Sequence, residues 1–348
     1  MADARKLLIV GPSWIGDMVM AQSLYKLLRS QDARTEIHVI APAWSKPILE
    51  RMPEVSRAIE VPVVHGELGL AKRRRLGRRL RAAGYTGAII LPRSLKSALL
   101  PLFAAVPVRT GFRGEWRYGL INDMRPFDPE RLDQTVKRFV ALGLRRGEEQ
   151  LPVIENPSLR VDPEARAAAR TRLGLNSKAE IVALMPGAEY GPAKRWPLQH
   201  YADLASRLVG VGIDVWVLGS EKERGMGESL RGAVGDARVH NLCGKTSLGE
   251  VVDLLSSAKV AVTNDSGLMH VAAAVHTHVV ALYGSSSPQF TPPLTDAKDI
   301  FYLALDCSPC FERRCPLEHL ECLKGIPVDS VCSSVVTALG EPEVGAYG

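Results

Sequence analysis

Short apolar runs alternate with longer segments of helical periodicity along the first half of the chain. The apolar runs predict buried strands, at residues 6–11, 36–41, 58–61 and 87–91. The segments between and after them predict helices, at residues 18–29, 47–51, 68–83 and 136–144. Strands that alternate with helices in this way predict a parallel, doubly wound α/β sheet.

The pattern weakens between Arg145 and Pro163, where charged residues and prolines are frequent. Such a composition is typical of a linker, so we predict two domains, 1–155 and 156–348. The second domain has predicted helices at 163–173, 198–209, 221–234, 248–257 and 330–339, and strands at 180–185, 214–218, 239–243, 260–262 and 279–283. The last helix is compatible with packing on either domain. Two such domains predict a cleft between the carboxyl edges of their sheets.

Residues 259–284 predict one strand–loop–helix–strand unit, around which we expect the second domain to be organised. Four polar residues, 263–266, separate its first strand from a small, apolar helix. Because the helix begins where the strand ends, its positive N-terminus lies at the carboxyl edge of the sheet, where an anion is favoured. The alternative interpretation is that Asp265 or Ser266 only caps the helix.

The chain has 348 residues and 46% hydrophobic content, which suit two α/β domains with sizeable cores. No apolar run approaches the roughly 18–20 residues that cross a bilayer. Residues 1–11 enter an apolar strand directly and lack a signal-peptide pattern, so we expect a protein that is not exported.

Basic residues are concentrated in one predicted helix of this chain, whose formal net charge is +6. They cluster at residues 72–75 and 78–81. A solvated helix face and an anionic partner are both compatible with such a cluster. Because no aromatic residues interleave with it, we expect an anionic membrane surface as the partner rather than nucleic acid.

Asp17 follows the first predicted strand, in a loop that Gly11 and Gly16 bracket. At the mouth of the predicted cleft, a carboxylate can act as a general base toward a hydroxyl group. Capping of the next helix is the alternative role. The loop lacks the third glycine of the dinucleotide fingerprint, and Pro12 and Trp14 interrupt it, so we expect no nicotinamide or flavin cofactor.

Further candidates follow predicted strands of the second domain. Lys194 lies in the loop 186–197 and can neutralise the charge that grows on a departing phosphate. Glu221 or Glu223, after the next strand, suits a pair of ribose hydroxyls. His270 lies one turn into the predicted helix and can donate to a phosphate or sugar oxygen. A solvated lysine and a buried structural histidine are the alternatives.

Four of the six cysteines form the pattern C-x2-C-x4-C-x6-C: Cys307, Cys310, Cys315 and Cys322. This spacing is compatible with bound zinc, although its second pair is wider than in a paired-knuckle motif. Disulfides are not expected in a reducing cytosol. Zinc ligands and free thiols therefore stay as the two interpretations.

Three motifs together resemble a known enzyme family. They are Gly16-Asp17-Met18-Val19 after the first strand, PGAEYGPAKRWP at 186–197 and NDSGLMHVAAA at 264–274. In this order and spacing, the set is similar to the ADP-heptose:lipopolysaccharide heptosyltransferases over nearly the whole chain. The GPAKRWP loop and the segment DCSPCFERRCPLEHLEC at 306–322 are most similar to the heptosyltransferase II branch of that family.

This resemblance implies a GT-B fold, with two Rossmann-like domains that hold the acceptor on the first and ADP-heptose on the second. It implies inversion at the anomeric carbon without a metal ion or a cofactor. It places the enzyme at the cytoplasmic face of the inner membrane of Gram-negative bacteria. We accordingly expect peripheral contact with that anionic membrane and no nucleic-acid partner.

The resemblance also implies roles for individual residues. The catalytic base falls on Asp17, and the contact to the donor phosphate falls on Lys194. The implied donor-binding residues are Glu223, Asp265, Ser266, Gly267 and His270. Glu221 stays the alternative to Glu223 at the ribose.

The implied acceptor is heptosyl-Kdo2-lipid A, whose first heptose offers its 3-hydroxyl, with Arg93 and Lys96 as candidate contacts. The implied reaction moves L-glycero-D-manno-heptose from ADP-heptose to that hydroxyl in the biosynthesis of the lipopolysaccharide inner core. One alternative is heptosyltransferase I or a later core heptosyltransferase. The others are a nucleotide-sugar 2-epimerase of similar architecture and a non-catalytic nucleotide-binding or membrane-associated module.

Overall fold

The computed structural model describes residues 5–62, 67–175 and 178–340. The chain divides into two compact units, Met1–Pro157 and Ser158–Gly348. Each unit contains one six-stranded sheet whose neighbouring strands are all parallel, as the alternating pattern predicts. Among the described residues, no helix combines the length and the apolar character that crossing a bilayer requires.

The first unit alternates strands and helices from its start. Its strands are β1 (Lys6–Val10), β2 (Glu36–Ala41), β3 (Val55–Glu60), β4 (Gly87–Ile90), β5 (Arg109–Phe112) and β6 (Asp123–Arg125). Its helices are α1 (Ile15–Met20), α2 (Gln22–Gln31), α3 (Lys46–Glu50), α4 (Leu70–Leu80), α5 (Leu95–Phe103) and α6 (Thr135–Ala141). The strand order is β3-β2-β1-β4-β5-β6.

The second unit repeats this plan. Its strands are β7 (Ile181–Met185), β8 (Asp214–Val217), β9 (Val239–Asn241), β10 (Val260–Asn264), β11 (His278–Tyr283) and β12 (Lys298–Tyr302). Its helices are α7 (Pro163–Arg172), α8 (Leu198–Gly210), α9 (Arg224–Val234), α10 (Leu248–Leu255), α11 (Gly267–Ala274), α12 (Glu321–Lys324) and α13 (Val328–Leu339). The strand order is β12-β11-β10-β7-β8-β9.

Both strand orders reverse direction at one point, between β1 and β4 in the first unit and between β10 and β7 in the second. Open parallel sheets bind their ligands beyond the carboxyl ends of the strands at such a point. Asp17 follows β1, and Arg93 and Lys96 follow β4. Lys194 follows β7, and Asp265 follows β10. The topology therefore brings the predicted site residues of each unit to the edge where a ligand is expected.

The central strands are buried along their whole length, because helices cover both faces of a parallel sheet. α13 packs against α8, β10 and β11, and Val331 and Val335 lie in the hydrophobic core of the second unit. The last described helix thus completes the core of the second unit.

The structure corrects the prediction of a single helix at residues 18–29. The chain forms two helices, α1 and α2, which meet at Ala21. α1 begins at Ile15, so Gly16 and Asp17 lie in its first turn rather than in a loop. Gly16 is buried there, which shows that local packing has overridden the turn preference of glycine.

Helices α5 and α12 and strands β5, β6 and β12 were not predicted from the sequence. α5 carries Pro101 in its interior, and a proline there weakens the helical signal of the sequence. The three strands have only three to five residues each, and β6 and β12 are only partly buried. Strands as short as these lack the longer apolar run on which the other strands were predicted.

Candidate functional site

Asn264 ties together the two loops that border the ligand edge of the second unit. Its side chain is fully buried at the end of β10. The Asn264 Oδ1 accepts hydrogen bonds from the backbone N–H of Trp196, at 2.9 Å, and from the Tyr201 hydroxyl, at 3.2 Å. Its Nδ2 donates to the carbonyl oxygen of Pro186, at 2.8 Å. A satisfied buried amide of this kind fixes the Lys194 loop against β10.

Lys194 and Asp265 form an ion pair across this edge. The Lys194 Nζ lies 2.5 Å from the Asp265 Oδ2, and the two side chains are only 17% and 6% exposed. Lys194 ends a short 3-10 turn, Pro192–Lys194, whose position the Asn264 contacts hold. A buried carboxylate needs such a partner, so Asp265 fixes the position of the Lys194 ammonium.

The N-terminus of α11 has no side-chain cap. Ser266 is its N-cap residue, but the Ser266 side chain makes no capping hydrogen bond, and the Asp265 carboxylate binds Lys194 instead. The interpretation that one of these residues only caps the helix is therefore wrong. Uncapped first-turn N–H groups beside a lysine form a site that favours a phosphate.

His270 is a buried imidazole inside α11. Burial lowers its pKa to about 4, a shift that Asp265 opposes and Lys194 reinforces. The imidazole is therefore neutral near pH 7, and its Nδ1 has no hydrogen-bond partner among the described residues. A buried polar atom without a partner is costly, so it is available to a ligand at this edge.

Glu223, rather than Glu221, lies at the crevice between β7 and β8. The Glu223 carboxylate lies directly against Gly187, just after β7. A Cβ added to that glycine would come within 1.6 Å of the Glu223 Oε1. The Glu223 carboxylate accepts hydrogen bonds from the backbone N–H and the hydroxyl of Ser220, at 2.6 and 2.9 Å. Glu221 is exposed and pairs with Arg224 at 2.7 Å. This geometry favours Glu223 as the ribose contact.

The cysteine-bearing segment, residues 306–322, packs against the Lys194 loop, residues 186–197. This contact was not predicted from the sequence. The Tyr190 hydroxyl donates to the carbonyl oxygen of Phe311 at 2.6 Å. The Ala193 N–H donates to the carbonyl oxygen of Arg313 at 3.2 Å. The Lys194 Nζ lies 5.0 Å from the centre of the Tyr190 ring, within the range of a cation–π contact. Both acceptors are backbone carbonyls, which carry no signal in the sequence, so the sequence could not indicate this contact.

The four clustered cysteines line one small cavity beside this contact, together with Ala193 and Ser285. All six cysteines of the chain are free thiols. The backbone N–H of Leu320, and then those of its neighbours, lower the pKa of Cys315. In the described part of the chain, no three histidine, cysteine or acidic side chains are arranged to hold a metal ion. The four thiols nevertheless line one cavity, so zinc ligands and free thiols are still the two interpretations.

Ser285 and Ser286 are further residues that the sequence analysis did not single out. They follow β11 at the same edge, and both are buried. Neither hydroxyl has a hydrogen-bond partner among the described residues. The signal was present in the sequence, since three serines follow Gly284 directly after a predicted strand.

The first-unit candidates lie at the β1/β4 edge of their own sheet. Asp17 is half-buried in the first turn of α1. The N-cap of α1 is Trp14, so Asp17 does not occupy the capping position. The Arg93 guanidinium lies 4.5 Å from the centre of the Phe127 ring. Lys96 lies in the first turn of α5.

The profile of Glycosyltransferase family 9 (heptosyltransferase) matches residues 73–321. This chain belongs to glycosyltransferase family 9. The matched range includes the Lys194 loop, the Asp265–His270 motif and nearly all of the cysteine-bearing segment. Asp17 precedes the matched range.

Two curated relatives that match most of the chain both carry the name heptosyltransferase 2. The chain is 47% identical to lipopolysaccharide heptosyltransferase 2 of Escherichia coli, over 83% of this chain and 86% of that protein. It is 46% identical to lipooligosaccharide heptosyltransferase 2 of Haemophilus influenzae, over 85% and 88%. The solved structure of E. coli ADP-heptose lps heptosyltransferase II matches with a TM-score of 0.87 and 41% identity, over 96% of this chain and 98% of that one. These likenesses confirm the predicted family and the GT-B class of two Rossmann-like domains.

Proposed function

We propose that this family 9 glycosyltransferase is a heptosyltransferase II. It transfers L-glycero-D-manno-heptose from ADP-heptose to the 3-hydroxyl of the first heptose of heptosyl-Kdo2-lipid A. The Lys194–Asp265 pair beside the uncapped α11 N-terminus is the observation that carries the proposal. A fixed cation and free N–H groups at a topological switch point suit the diphosphate of a nucleotide sugar.

Asp17 is the proposed general base. Its carboxylate accepts the proton of the acceptor hydroxyl as that oxygen forms a bond to C1 of the donor heptose. The bond between C1 and the diphosphate oxygen breaks on the opposite face, so the anomeric configuration inverts and ADP leaves with the electron pair. The position of Asp17 after β1, in a first helical turn, supports this role.

The second unit holds the donor in this proposal. Lys194 and the N–H groups that follow Ser266 stabilise the negative charge that grows on the departing diphosphate. Neutral His270 donates to a phosphate or sugar oxygen, and Glu223 accepts from the ribose hydroxyls. Gly267 starts α11 and lets the donor approach the backbone closely.

We propose no cofactor and no metal ion for this reaction. Lys194 and the helix N-terminus supply, at the diphosphate, the positive charge that a divalent ion supplies in other transferases. The donor ADP-heptose is a substrate, not a cofactor.

The proposed location is the cytoplasmic face of the inner membrane, where the lipid-anchored acceptor is made. α4 supports contact with an anionic surface, because it exposes four arginines: Arg74, Arg75, Arg78 and Arg79. Arg73 is the exception, since its buried guanidinium donates to the carbonyl oxygen of Leu68 at 2.8 Å. Arg93 and Lys96 are the proposed contacts to the anionic inner core, and no nucleic-acid partner is proposed.

The printed names of the relatives favour this branch over heptosyltransferase I, a later core enzyme and a nucleotide-sugar 2-epimerase. The deciding experiment incubates the protein with ADP-heptose and either Kdo2-lipid A or heptosyl-Kdo2-lipid A. Mass spectrometry should find one added heptose on the second acceptor alone. Addition to Kdo2-lipid A would identify heptosyltransferase I, and release of a modified soluble sugar without transfer would identify an epimerase.

A further inference from the structure

The loops at the carboxyl edge of the first unit's sheet expose large apolar side chains. Trp14 follows β1, and Trp44 follows β2. The others follow β3 and β5, namely Leu68, Leu70, Trp116 and Tyr118. We call these six residues the apolar rim. Single exposed apolar residues are ordinary, but a set gathered at one edge indicates an interaction surface.

The strand order makes these loops neighbours. β3, β2, β1, β4 and β5 are adjacent in the sheet, so their carboxyl ends span only about 20 Å at the usual strand spacing. The loops after β4 and β5 also touch, because the Leu95 N–H donates to the Glu115 carboxylate at 2.6 Å. The apolar rim is therefore one surface of the first unit.

The loop after β5 is held in a shape that exposes its aromatic rings. The buried Arg117 guanidinium donates to the carbonyl oxygens of Pro92 and Phe112, at 2.8 and 2.5 Å. This anchor leaves Trp116 85% exposed and Tyr118 57% exposed. Trp116 also has a positive φ of 50°, a strained conformation for a residue other than glycine. Strain and exposure at the same tryptophan indicate a functional constraint.

Cations accompany the apolar rim. Arg113 is exposed in the loop that carries Trp116. Arg93, which follows β4, is also exposed, and its side chain lies beside Gly114 of that loop. The Arg113 Nε lies 3.2 Å from the Tyr118 hydroxyl. Tryptophan and tyrosine favour the boundary between headgroups and acyl chains, and arginines favour anionic headgroups. Sugars alone do not account for exposed leucines such as Leu68 and Leu70.

We propose that the apolar rim docks the first unit on the lipid–water interface of an anionic bilayer, with Trp116 and Tyr118 as its main anchors. The inference rests on the proposed function, since a lipid-anchored acceptor must be met at a membrane. It adds an apolar contact to the electrostatic contact of α4. Docking at this edge holds the strand ends that carry Asp17 and Arg93 close to the sugars that emerge from the bilayer.

Vesicle binding by the full chain tests the docking surface directly. The probes are vesicles of phosphatidylcholine alone and of phosphatidylcholine with phosphatidylglycerol, and sedimentation measures partitioning. We expect the double variant Trp116→Ser/Tyr118→Ser to bind the anionic vesicles about tenfold more weakly than the wild type, because binding scales with buried apolar area. The matched control is Val153→Ser, which changes a 95% exposed apolar residue elsewhere and should bind as the wild type does. Equal binding of the double variant and the wild type would overturn the proposal.

Trp116→Phe keeps an apolar ring and should retain most of the binding, which separates lost anchoring from a misfolded loop. Transfer assays then distinguish a membrane from a sugar as the occupant. The double variant should be slower than the wild type on acceptor embedded in vesicles, and equal to it on a deacylated, water-soluble acceptor. Equal losses on both acceptors would mean that the rings bind the acceptor sugars, and would overturn the docking role. If the wild type transferred heptose to neither acceptor, the proposed function would be wrong. The sedimentation experiment would still test the docking surface, because it does not depend on transfer.

Discussion

The Lys194 ammonium lies 2.5 Å from the Asp265 carboxylate and joins the loop after β7 to the loop after β10. The pair lies where the strand order of the second unit reverses. Since Asp265 is nearly buried, it holds the lysine in one place before any ligand arrives. In the proposed mechanism, a donor diphosphate at the α11 N-terminus would meet a cation that is already oriented, and such preorganisation favours the transition state.

Lys194→Ala should therefore act mainly on turnover. We expect a loss of roughly 2–4 kcal/mol in transition-state stabilisation, seen in kcat at least as much as in KM, because charge on the diphosphate grows as ADP leaves. Lys194→Arg should restore only part of the rate, since a planar fork replaces a point charge. Steady-state kinetics with ADP-heptose measure both variants. An increase in KM with an unchanged kcat would make Lys194 a simple binding group.

The same substitution should also lower stability, because it leaves the Asp265 carboxylate buried without its cation. Chemical unfolding should show a loss of a few kcal/mol for Lys194→Ala. Lys222→Ala is the matched control: its ion pair with Glu189 has the lysine 76% and the glutamate 61% exposed, so its removal should change little. Lys194→Ala with wild-type stability would show that Asp265 finds another partner.

The sequence predicted those parts of the fold and the site that depend on local pattern. β7 and β10 are apolar and fully buried, so their runs stood out, and the site loops follow them directly. The contacts across the site depend on tertiary packing instead. No spacing could predict that Phe311 and Arg313 would accept hydrogen bonds from Tyr190 and Ala193. Likewise, the choice of Glu223 over Glu221 depends on the close approach to Gly187.

The boundaries of the helix that contains Asp17 could not be predicted from the sequence either. The glycine at 16 indicated a loop, but Ile15–Met20 is helical and packs its apolar side chains inward. Asp17 consequently lies in a helical turn rather than in the predicted loop. The exposed Trp116 was equally unpredictable, because its exposure follows from the Arg117 anchor beneath it.

Asp17→Asn should abolish the base while keeping the volume of the side chain. Turnover should fall by about 10²–10⁴-fold, because general base catalysis contributes on that order. The dissociation constant of ADP, measured by calorimetry, should change little, since the proposed donor site belongs to the second unit. Near-normal turnover in this variant would leave Asp17 with a structural role only.

Glu223→Gln and Glu221→Gln form a matched pair that assigns the ribose contact. Glu223→Gln should raise the KM for ADP-heptose by about tenfold, since a charge-assisted hydrogen bond becomes a neutral one. Glu221→Gln should leave the KM near its wild-type value, because the Glu221 side chain is exposed and bonds Arg224. The reverse ranking of the two KM values would move the ribose contact to Glu221.

Chelation tests whether positive charge from the chain alone neutralises the diphosphate. Because Lys194 and the α11 N-terminus supply that charge in the proposed mechanism, the initial rate of heptose transfer should be unchanged in EDTA. The control is the same assay with magnesium added back. Loss of activity in EDTA that magnesium restores would contradict the metal-independent mechanism.

His270 should make the protein less stable as the pH falls. Its pKa is lowered to about 4 in the fold from an ordinary 6.5, because burial disfavours the charged imidazole. Between these values the unfolded chain binds a proton that the folded chain does not, so stability falls as the pH drops from about 6.5 to about 4. His270→Gln has no titrating group and should lose about 2–3 kcal/mol less than the wild type between about pH 7 and pH 4.5. Urea unfolding at both pH values measures the difference, and equal losses in the two proteins would show that the imidazole is protonated within the fold.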